Sequence, residues 1–179
     1  MSKKIAIITG SLRQGSFTKQ IARAAKELFP SSVEVKFVEI GQLPLFNQDF
    51  DDQGTTPESY TAFRKEIAGF DGFLFATPEH NRSFPAALKN ALDVGSRPWG
   101  HNLWDGKAAA IISVSPGAMG GFGANHHLRQ VLTFLNMRPV QQPEAYIGSV
   151  TGLLDGKGGV KEETRTLIRS VTDALVKML

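Results

Sequence analysis

Two spacings of apolar residues recur in this sequence, and they predict alternating strands and helices. Apolar or β-branched runs of strand length occur at residues 5–8, 33–40, 70–76, 107–114 and 138–147. The helical spacing follows each run, with apolar faces predicted at Phe17/Ile21/Ala24/Ala25/Leu28, Tyr60/Phe63/Ile67, Phe84/Leu88/Ala91/Leu92/Gly95, Leu128/Val131/Leu132/Leu135 and Thr164/Leu167/Ile168/Val171/Leu175. Pro57 is expected to open the second helix, and residues 151–159 are polar, glycine-rich and expected to be mobile.

Five strands that alternate with helices indicate an α/β fold with a parallel sheet covered on both faces. The length of 179 residues suits one domain, covering residues 1–179. In such sheets, ligands bind at the carboxyl ends of the strands. The three unusual loops of the chain follow the first, third and fourth strands, so we expect them to surround one cleft.

The first of these loops, residues 9–18, has a composition that suits an anion. Its two glycines, three hydroxyl side chains and one arginine are Gly10, Gly15, Ser11, Ser16, Thr18 and Arg13. Free backbone N–H groups and the positive end of the helix dipole point to the same place. We interpret the loop as a phosphate cradle.

Two better-known phosphate loops do not fit this stretch. A P-loop requires lysine after its second glycine, and Ser16 occupies that position. A dinucleotide fingerprint requires closer glycines, and the next glycine after Gly10 is Gly15. The alternative is an ordinary helix N-terminus capped by Ser16, although a cap requires one hydroxyl and no arginine.

The other two loops offer polar groups and bare backbone. Residues 78–83 have little room for core side chains, so Glu79 and Asn81 are free for a ligand; alternatively the segment is a turn in which Asn81 or Ser83 caps the next helix. The glycine-rich loop 115–123 suits a planar ring laid against exposed backbone, or else a flexible lid.

No set of nucleophile, base and acid is evident in the chain. His126 and His127 are adjacent on a predicted helix, so their side chains diverge and a shared metal is not expected. The serines lack the elbow motif of serine hydrolases.

Composition narrows the class further. Cysteine is absent, which excludes disulfides and thiolate chemistry, and the net charge of +3 with scattered basic residues does not indicate nucleic-acid binding. No apolar segment is long enough to span a membrane, and residues 1–4 lead directly into the first strand without room for a signal peptide. We expect a cytoplasmic protein with no nucleic-acid or membrane partner.

Three motifs together resemble one family. Residues 10–17, residues 78–85 with 88–93, and residues 115–121 look like the NADPH-dependent FMN reductase family, a flavodoxin-like group that includes bacterial quinone, chromate and azo-dye reductases. The match runs in order from about residue 3 to residue 147. Two positions depart from the family pattern: Thr18, where asparagine is frequent, and His80, where tyrosine is frequent.

The resemblance implies a flavodoxin-like, doubly wound sheet of five strands in the order 2-1-3-4-5, with bound FMN. The implied FMN-binding residues are Ser11, Arg13, Ser16, Phe17 and Thr18 around the phosphate, Pro78, Glu79, His80 and Asn81 along the isoalloxazine ring, and Ser115 and Gly117 at its border. It also implies a homodimer or homotetramer. We expect the helix face around Arg129 and Leu132, and the segment around Glu144, to contact another subunit.

The function that follows from the resemblance is FMN-dependent NAD(P)H oxidation. Hydride would pass from nicotinamide to FMN N5 and on to a quinone or a similar acceptor, such as chromate, an azo dye or free flavin, by a ping-pong mechanism. The chemistry would belong to the cofactor, which explains why no acid–base set is found. A flavodoxin-like electron carrier or regulatory flavin binder is the alternative, although a carrier should be strongly acidic; a nucleotide or sugar-phosphate binder without redox chemistry is a third.

Overall fold

A computed structural model describes residues 2–156 and 159–179 of the chain. The strands are β1 (Lys3–Thr9), β2 (Val33–Val38), β3 (Gly72–Pro78), β4 (Ala108–Val114), β5 (Arg138–Pro139) and β6 (Ala145–Ile147). The helices are α1 (Phe17–Leu28), α2 (Asp49–Asp52), α3 (Glu58–Ala68), α4 (Ala86–Gly95), α5 (Phe122–Phe134) and α6 (Glu162–Val176). The strand order is β2-β1-β3-β4-β5, as expected, and every strand pair is parallel.

The sheet is covered on both faces because successive strand residues point in opposite directions. In β1, Ile5 and Ile7 pack with the apolar faces of α1 and α6. Ala6 and Ile8 point to the other face, which α3, α4 and α5 cover. Both faces of β1, β3 and β4 are therefore apolar, and the strands have the continuous runs seen in the sequence.

The predicted fifth strand at 138–147 was wrong in one respect, because the structure divides it into β5 and β6. Both pieces pair with β4, at its start and at its end. Pro139 and Pro143 lack the N–H groups that a continuous ladder requires, and residues 141–144 leave the sheet between the two pieces, after the Val140 amide has donated to the Ala109 carbonyl. The sheet therefore has six strands, with β5 and β6 sharing the fifth position.

Smaller differences from the predictions lie in the connections. The third strand begins and ends two residues later than expected, and the loop before α3 contains the short helix α2. The expected mobile segment 151–159 is partly ordered by its flanks, because Val150–Leu153 form a 3₁₀ turn and Leu154 bridges to Val160, while 157 and 158 lie outside the described residues. Among the helices that the structure describes, none combines the length and apolar character needed to cross a membrane.

Candidate active site

The loops after β1, β3 and β4 meet at the carboxyl edge of the sheet and enclose a cavity of about 250 Å³. The cavity is lined by Ser11, Arg13, Ser16, Phe17, Thr18, Pro78, Glu79, His80, Val114, Ser115 and Pro116. This set contains all the FMN-binding residues predicted from the sequence except Asn81 and Gly117. Val114 and Pro116 were missed, although they directly flank the nominated Ser115.

The first loop leaves hydrogen-bonding groups available in the cavity. Ser16 caps α1, since its Oγ accepts a hydrogen bond from the Lys19 amide at 3.2 Å. Ser11 and Thr18 are buried residues, at 6% and 2% exposure, and their hydroxyls have no hydrogen-bond partner in the described chain and are not fully enclosed. Arg13 is exposed and has no carboxylate partner among the described residues. Ser16 therefore acts as a cap, and the remaining donors suit an anion.

A close backbone approach joins the first loop to the second. The Gly10 amide donates to the Ala76 carbonyl at 2.8 Å. A Cβ at Gly10 would lie 3.3 Å from both Pro85 Cδ and Thr77 Oγ1. Glycine is therefore suited to this position because the loop passes directly over the end of β3.

The second loop ends in a tight turn at residues 80–83. The backbones of His80 and Ser83 exchange hydrogen bonds of 2.8 and 2.9 Å. The residues between them, Asn81 and Arg82, both have positive φ, at 51° and 67°, as a type I′ turn requires. Asn81 thus lies at the turn tip and does not line the cavity. The alternative that Asn81 or Ser83 caps α4 was wrong, because Pro85 is the N-cap and no side chain bonds there.

Glu79 connects the second loop to the third. Its Oε2 accepts a hydrogen bond from the Ala124 amide in the first turn of α5 at 3.1 Å, and Arg82 lies 3.4 Å from its other oxygen. The Glu79 side chain is only 14% exposed. A carboxylate at this place also interacts favourably with the positive end of the α5 dipole. The side chain holds the loops together and still borders the cavity.

Most glycines of the third loop serve internal packing, not an exposed surface. Gly120 and Gly121 are buried with positive φ of 61° and 77°. A Cβ on Gly123 would lie 2.6 Å from the Arg82 carbonyl oxygen. Residues 116–119 are exposed, and so is Phe122, which already begins α5, so the bare backbone expected for a ring is limited to 116–119. Ser115 Oγ accepts a hydrogen bond from Gly117 N at 3.0 Å and holds this part in place.

The adjacent histidines diverge, as expected. His126 Nε2 lies 3.0 Å from the Tyr146 hydroxyl, and His127 Nδ1 lies 3.2 Å from Ser83 Oγ. Burial, together with the neighbouring Glu144, raises the pKa of Tyr146 to about 12, so the phenol stays protonated near neutral pH. No cluster of three or more potential metal ligands occurs in the part of the chain that the structure describes.

Known proteins are similar in sequence to this chain over most of its length. The family model for NADPH-dependent FMN reductases matches residues 3–152. A quinone reductase from Pseudomonas putida is 52% identical over 169 residues, which cover 94% of this chain and 90% of the relative. A 2-hydroxy-1,4-benzoquinone reductase from a Burkholderia species is 47% identical over 97% of this chain and 94% of its own length.

A solved structure is also similar over nearly the whole chain. FerB, a flavoenzyme NAD(P)H:(acceptor) oxidoreductase from Paracoccus denitrificans, superposes with a TM-score of 0.91 at 34% identity, covering 98% of this chain and 96% of that one. The fold is therefore flavodoxin-like, which confirms the expectation. The chain belongs to the NADPH-dependent FMN reductase family.

Proposed function

We propose that this protein is an FMN-dependent NAD(P)H oxidoreductase that reduces a quinone or a similar small acceptor, such as chromate, an azo dye or free flavin. The observation that carries the proposal is the cavity at the sheet edge, where the hydroxyls of Ser11 and Thr18 and the guanidinium of Arg13 have no partner among the described residues. FMN, when bound, supplies hydride transfer between a nicotinamide and an acceptor. The chain supplies binding, orientation and protection from water.

The residues of the cradle fit a terminal phosphate. In this proposal Ser11 and Thr18 donate their hydroxyl protons, Arg13 contributes a positive charge, and the free amides of the first turn of α1 complete the donors. The first turn of α1 contains no acidic residue that would repel the anion. Ser16 keeps the donors in position by capping the same turn.

The remaining walls suit a flat, mostly apolar ring. Pro78, His80, Ser115 and Pro116 border the cavity on the side away from the cradle, and we propose that they line the isoalloxazine. Glu79 keeps its two loops at a constant separation through its bond to the α5 amide. We further propose that Asn81 and Gly117, which lie just outside the cavity lining, approach the ring from the rim.

Donor and acceptor are proposed to use this one cavity in turn, because no dinucleotide fingerprint occurs in the sequence. The test is steady-state kinetics with NAD(P)H varied at several fixed quinone concentrations. Parallel double-reciprocal lines and competition by excess quinone support the proposal. Intersecting lines indicate a separate nicotinamide site, and no NAD(P)H oxidation by FMN-loaded protein favours the carrier or regulatory function.

Assembly into a homodimer or homotetramer is also part of the proposal. A groove of about 860 Å³ runs between α4 and α5, and Phe134 beside it is 84% exposed. The earlier expectation for Leu132 was wrong, because its side chain is fully buried in the core and cannot reach a second subunit. We keep Arg129 and Glu144 as proposed contacts, and we propose one domain over residues 1–179 and a cytoplasmic location.

A further inference from the structure

A second, smaller depression lies on the α1 side of the sheet edge, next to the cradle. It measures about 160 Å³ and is lined by Thr9, Lys19, Arg23, Phe37 and Glu39. It shares no lining residue with the main cavity, yet Lys19 directly follows Thr18 and Thr9 directly precedes Gly10. Consecutive residues at the start of α1 therefore line the main cavity and this depression.

The two cations of this depression are placed where they disfavour the folded chain. Lys19 and Arg23 are four residues apart on α1, so like charges are neighbours on one helix face. Lys19 also lies in the first turn, where the helix dipole opposes a positive charge. By contrast, the same spacing on α4 holds the attractive pair Lys89 and Asp93, with their charged atoms 2.7 Å apart.

Neither cation forms an ion pair within the described chain, although the Glu39 carboxylate lines the same depression. No side-chain hydrogen bond or ion pair of Lys19 or Arg23 occurs among residues 2–156 and 159–179. Glu39 is the one carboxylate lining the depression, and it too has no ion-pair partner there. An anion bound between Lys19 and Arg23 would offset both the repulsion between the two cations and the unfavourable interaction of Lys19 with the helix dipole.

The position of Glu39 suggests how such an anion is recognised. Glu39 follows β2, at the carboxyl end of the strand next to β1. A carboxylate there can accept a hydrogen bond from a ribose hydroxyl, and it repels a phosphate at the same position, whereas a neighbouring arginine favours the phosphate. A phosphate on the ribose would therefore be favoured by Lys19 and Arg23 and disfavoured by Glu39.

We propose that this depression binds the adenosine ribose of the nicotinamide donor, and that Lys19 and Arg23 hold the 2′-phosphate of NADPH while Glu39 opposes it. The inference rests on the proposed function, because it assumes that the donor binds in the adjoining main cavity. The three residues then determine the preference between NADPH and NADH. They are positioning and specificity residues and take no part in hydride transfer.

The first experiment compares kcat/KM for NADPH and for NADH in FMN-loaded Lys19→Gln, Arg23→Gln and Glu39→Gln proteins. The ratio of NADPH to NADH efficiency should fall about three- to tenfold in each of the first two variants, since an exposed phosphate contact is partly screened by solvent. The ratio should rise in Glu39→Gln. Arg169→Gln is the matched control, because Arg169 is an exposed arginine on α6, in the same helical layer, with no ion pair among the described residues, and the ratio should not change.

A binding measurement gives a second readout that does not depend on turnover. Calorimetry with adenosine 2′,5′-bisphosphate and with adenosine 5′-monophosphate should show that wild-type protein prefers the bisphosphate and that the Lys19→Gln/Arg23→Gln double variant loses this preference. Equal effects on NADPH and NADH, or an unchanged bisphosphate preference, would overturn the inference. Those results leave the proposed function intact, whereas failure of wild-type protein to oxidise either donor would count against the function itself.

Discussion

Glu79 Oε2 and the Ala124 amide are joined by a 3.1 Å hydrogen bond that connects the loop after β3 to the first turn of α5. The two residues are 45 positions apart in the sequence. The bond holds two walls of the candidate site in register and satisfies one of the N–H groups that a helix start leaves free. It is therefore a structural connection on which the shape of the cavity depends.

Removal of this connection should destabilise the protein. Glu79→Ala removes the acceptor at the α5 N-terminus, and we expect a loss of about 1–2 kcal/mol in the free energy of unfolding. Urea denaturation measures it. Arg82→Gln is the control, because it removes only the ion pair with Glu79, in which the Arg82 side chain is 78% exposed, and should have little effect. Equal losses in both variants would show that the Ala124 bond is unimportant.

The unpaired hydroxyl of Thr18 predicts opposite effects on folding and on FMN binding. Thr18→Val keeps the side-chain shape of a residue that is 2% exposed and removes a hydroxyl that has no partner among the described residues, so the stability of the FMN-free protein should be unchanged or higher. FMN affinity should fall by about 1 kcal/mol, because a donor to the phosphate is lost.

Arg13→Ala provides a second test of the same cradle. We expect FMN affinity to fall by about 1.5–3 kcal/mol, the usual contribution of a hydrogen bond to a charged group. Isothermal titration calorimetry at fixed salt measures both variants. If Thr18→Val and Arg13→Ala both bind FMN like the wild type, the phosphate assignment is wrong.

Much of the site could be predicted because the residues that form it are contiguous in the sequence. The run at 5–8, the loop of hydroxyls and glycines, and the helical spacing from Phe17 are contiguous, so β1, the cradle and α1 could be inferred together. The division of the fifth strand into β5 and β6 was not predictable, because each piece is selected by its pairing with a different end of β4.

Long-range contacts also determine which residues line the cavity. Gly123 is required by the carbonyl of Arg82, and Glu79 is oriented by Ala124, neither of which a sequence pattern reveals. Asn81 was expected along the ring; it lies at the tip of the 80–83 turn, where it and Arg82 have positive φ, and it does not line the cavity. The importance of Lys19 and Arg23 could have been inferred from their four-residue spacing, which is unfavourable for like charges on a helix.

The stability of the protein should depend on pH through one ion pair that holds the loop between β2 and α3. Arg64 makes two hydrogen bonds of 2.7 Å to Asp51, whose side chain is 7% exposed, and these bonds hold the pKa of Asp51 below its ordinary value of 3.8. A lowered folded-state pKa contributes stability that is present above the unfolded pKa and is lost as pH falls through the folded value.

Asp51→Asn should therefore cost about 3 kcal/mol of unfolding free energy at pH 7, where the wild-type pair is fully charged. The difference between variant and wild type should shrink as the pH is lowered below 3.8 towards the folded-state pKa. Asp52→Asn, an exposed neighbour on α2, is the control and should show little change. A difference that is constant with pH would mean that Asp51 acts through packing alone.

The oligomeric state tests the groove between α4 and α5. Phe134 lines the groove and is 84% exposed. Phe134→Asp replaces this apolar side chain with a carboxylate, so it should shift a dimer or tetramer towards monomer. Light scattering at micromolar concentration measures the mass. Leu45→Asp is the control, because Leu45 is 78% exposed but lies outside the groove. A monomeric wild type would contradict the proposed assembly.

In the proposed function, one cavity holds FMN and lets the nicotinamide donor and the quinone react in turn. The most direct measurement separates the two half-reactions under anaerobic conditions. Purified protein should show the visible absorption of oxidised flavin, lose it when NAD(P)H alone is added, and regain it when a quinone is added after the oxidised nicotinamide has been removed. A spectrum that does not bleach with either NADH or NADPH, in protein that retains its FMN, would contradict the account.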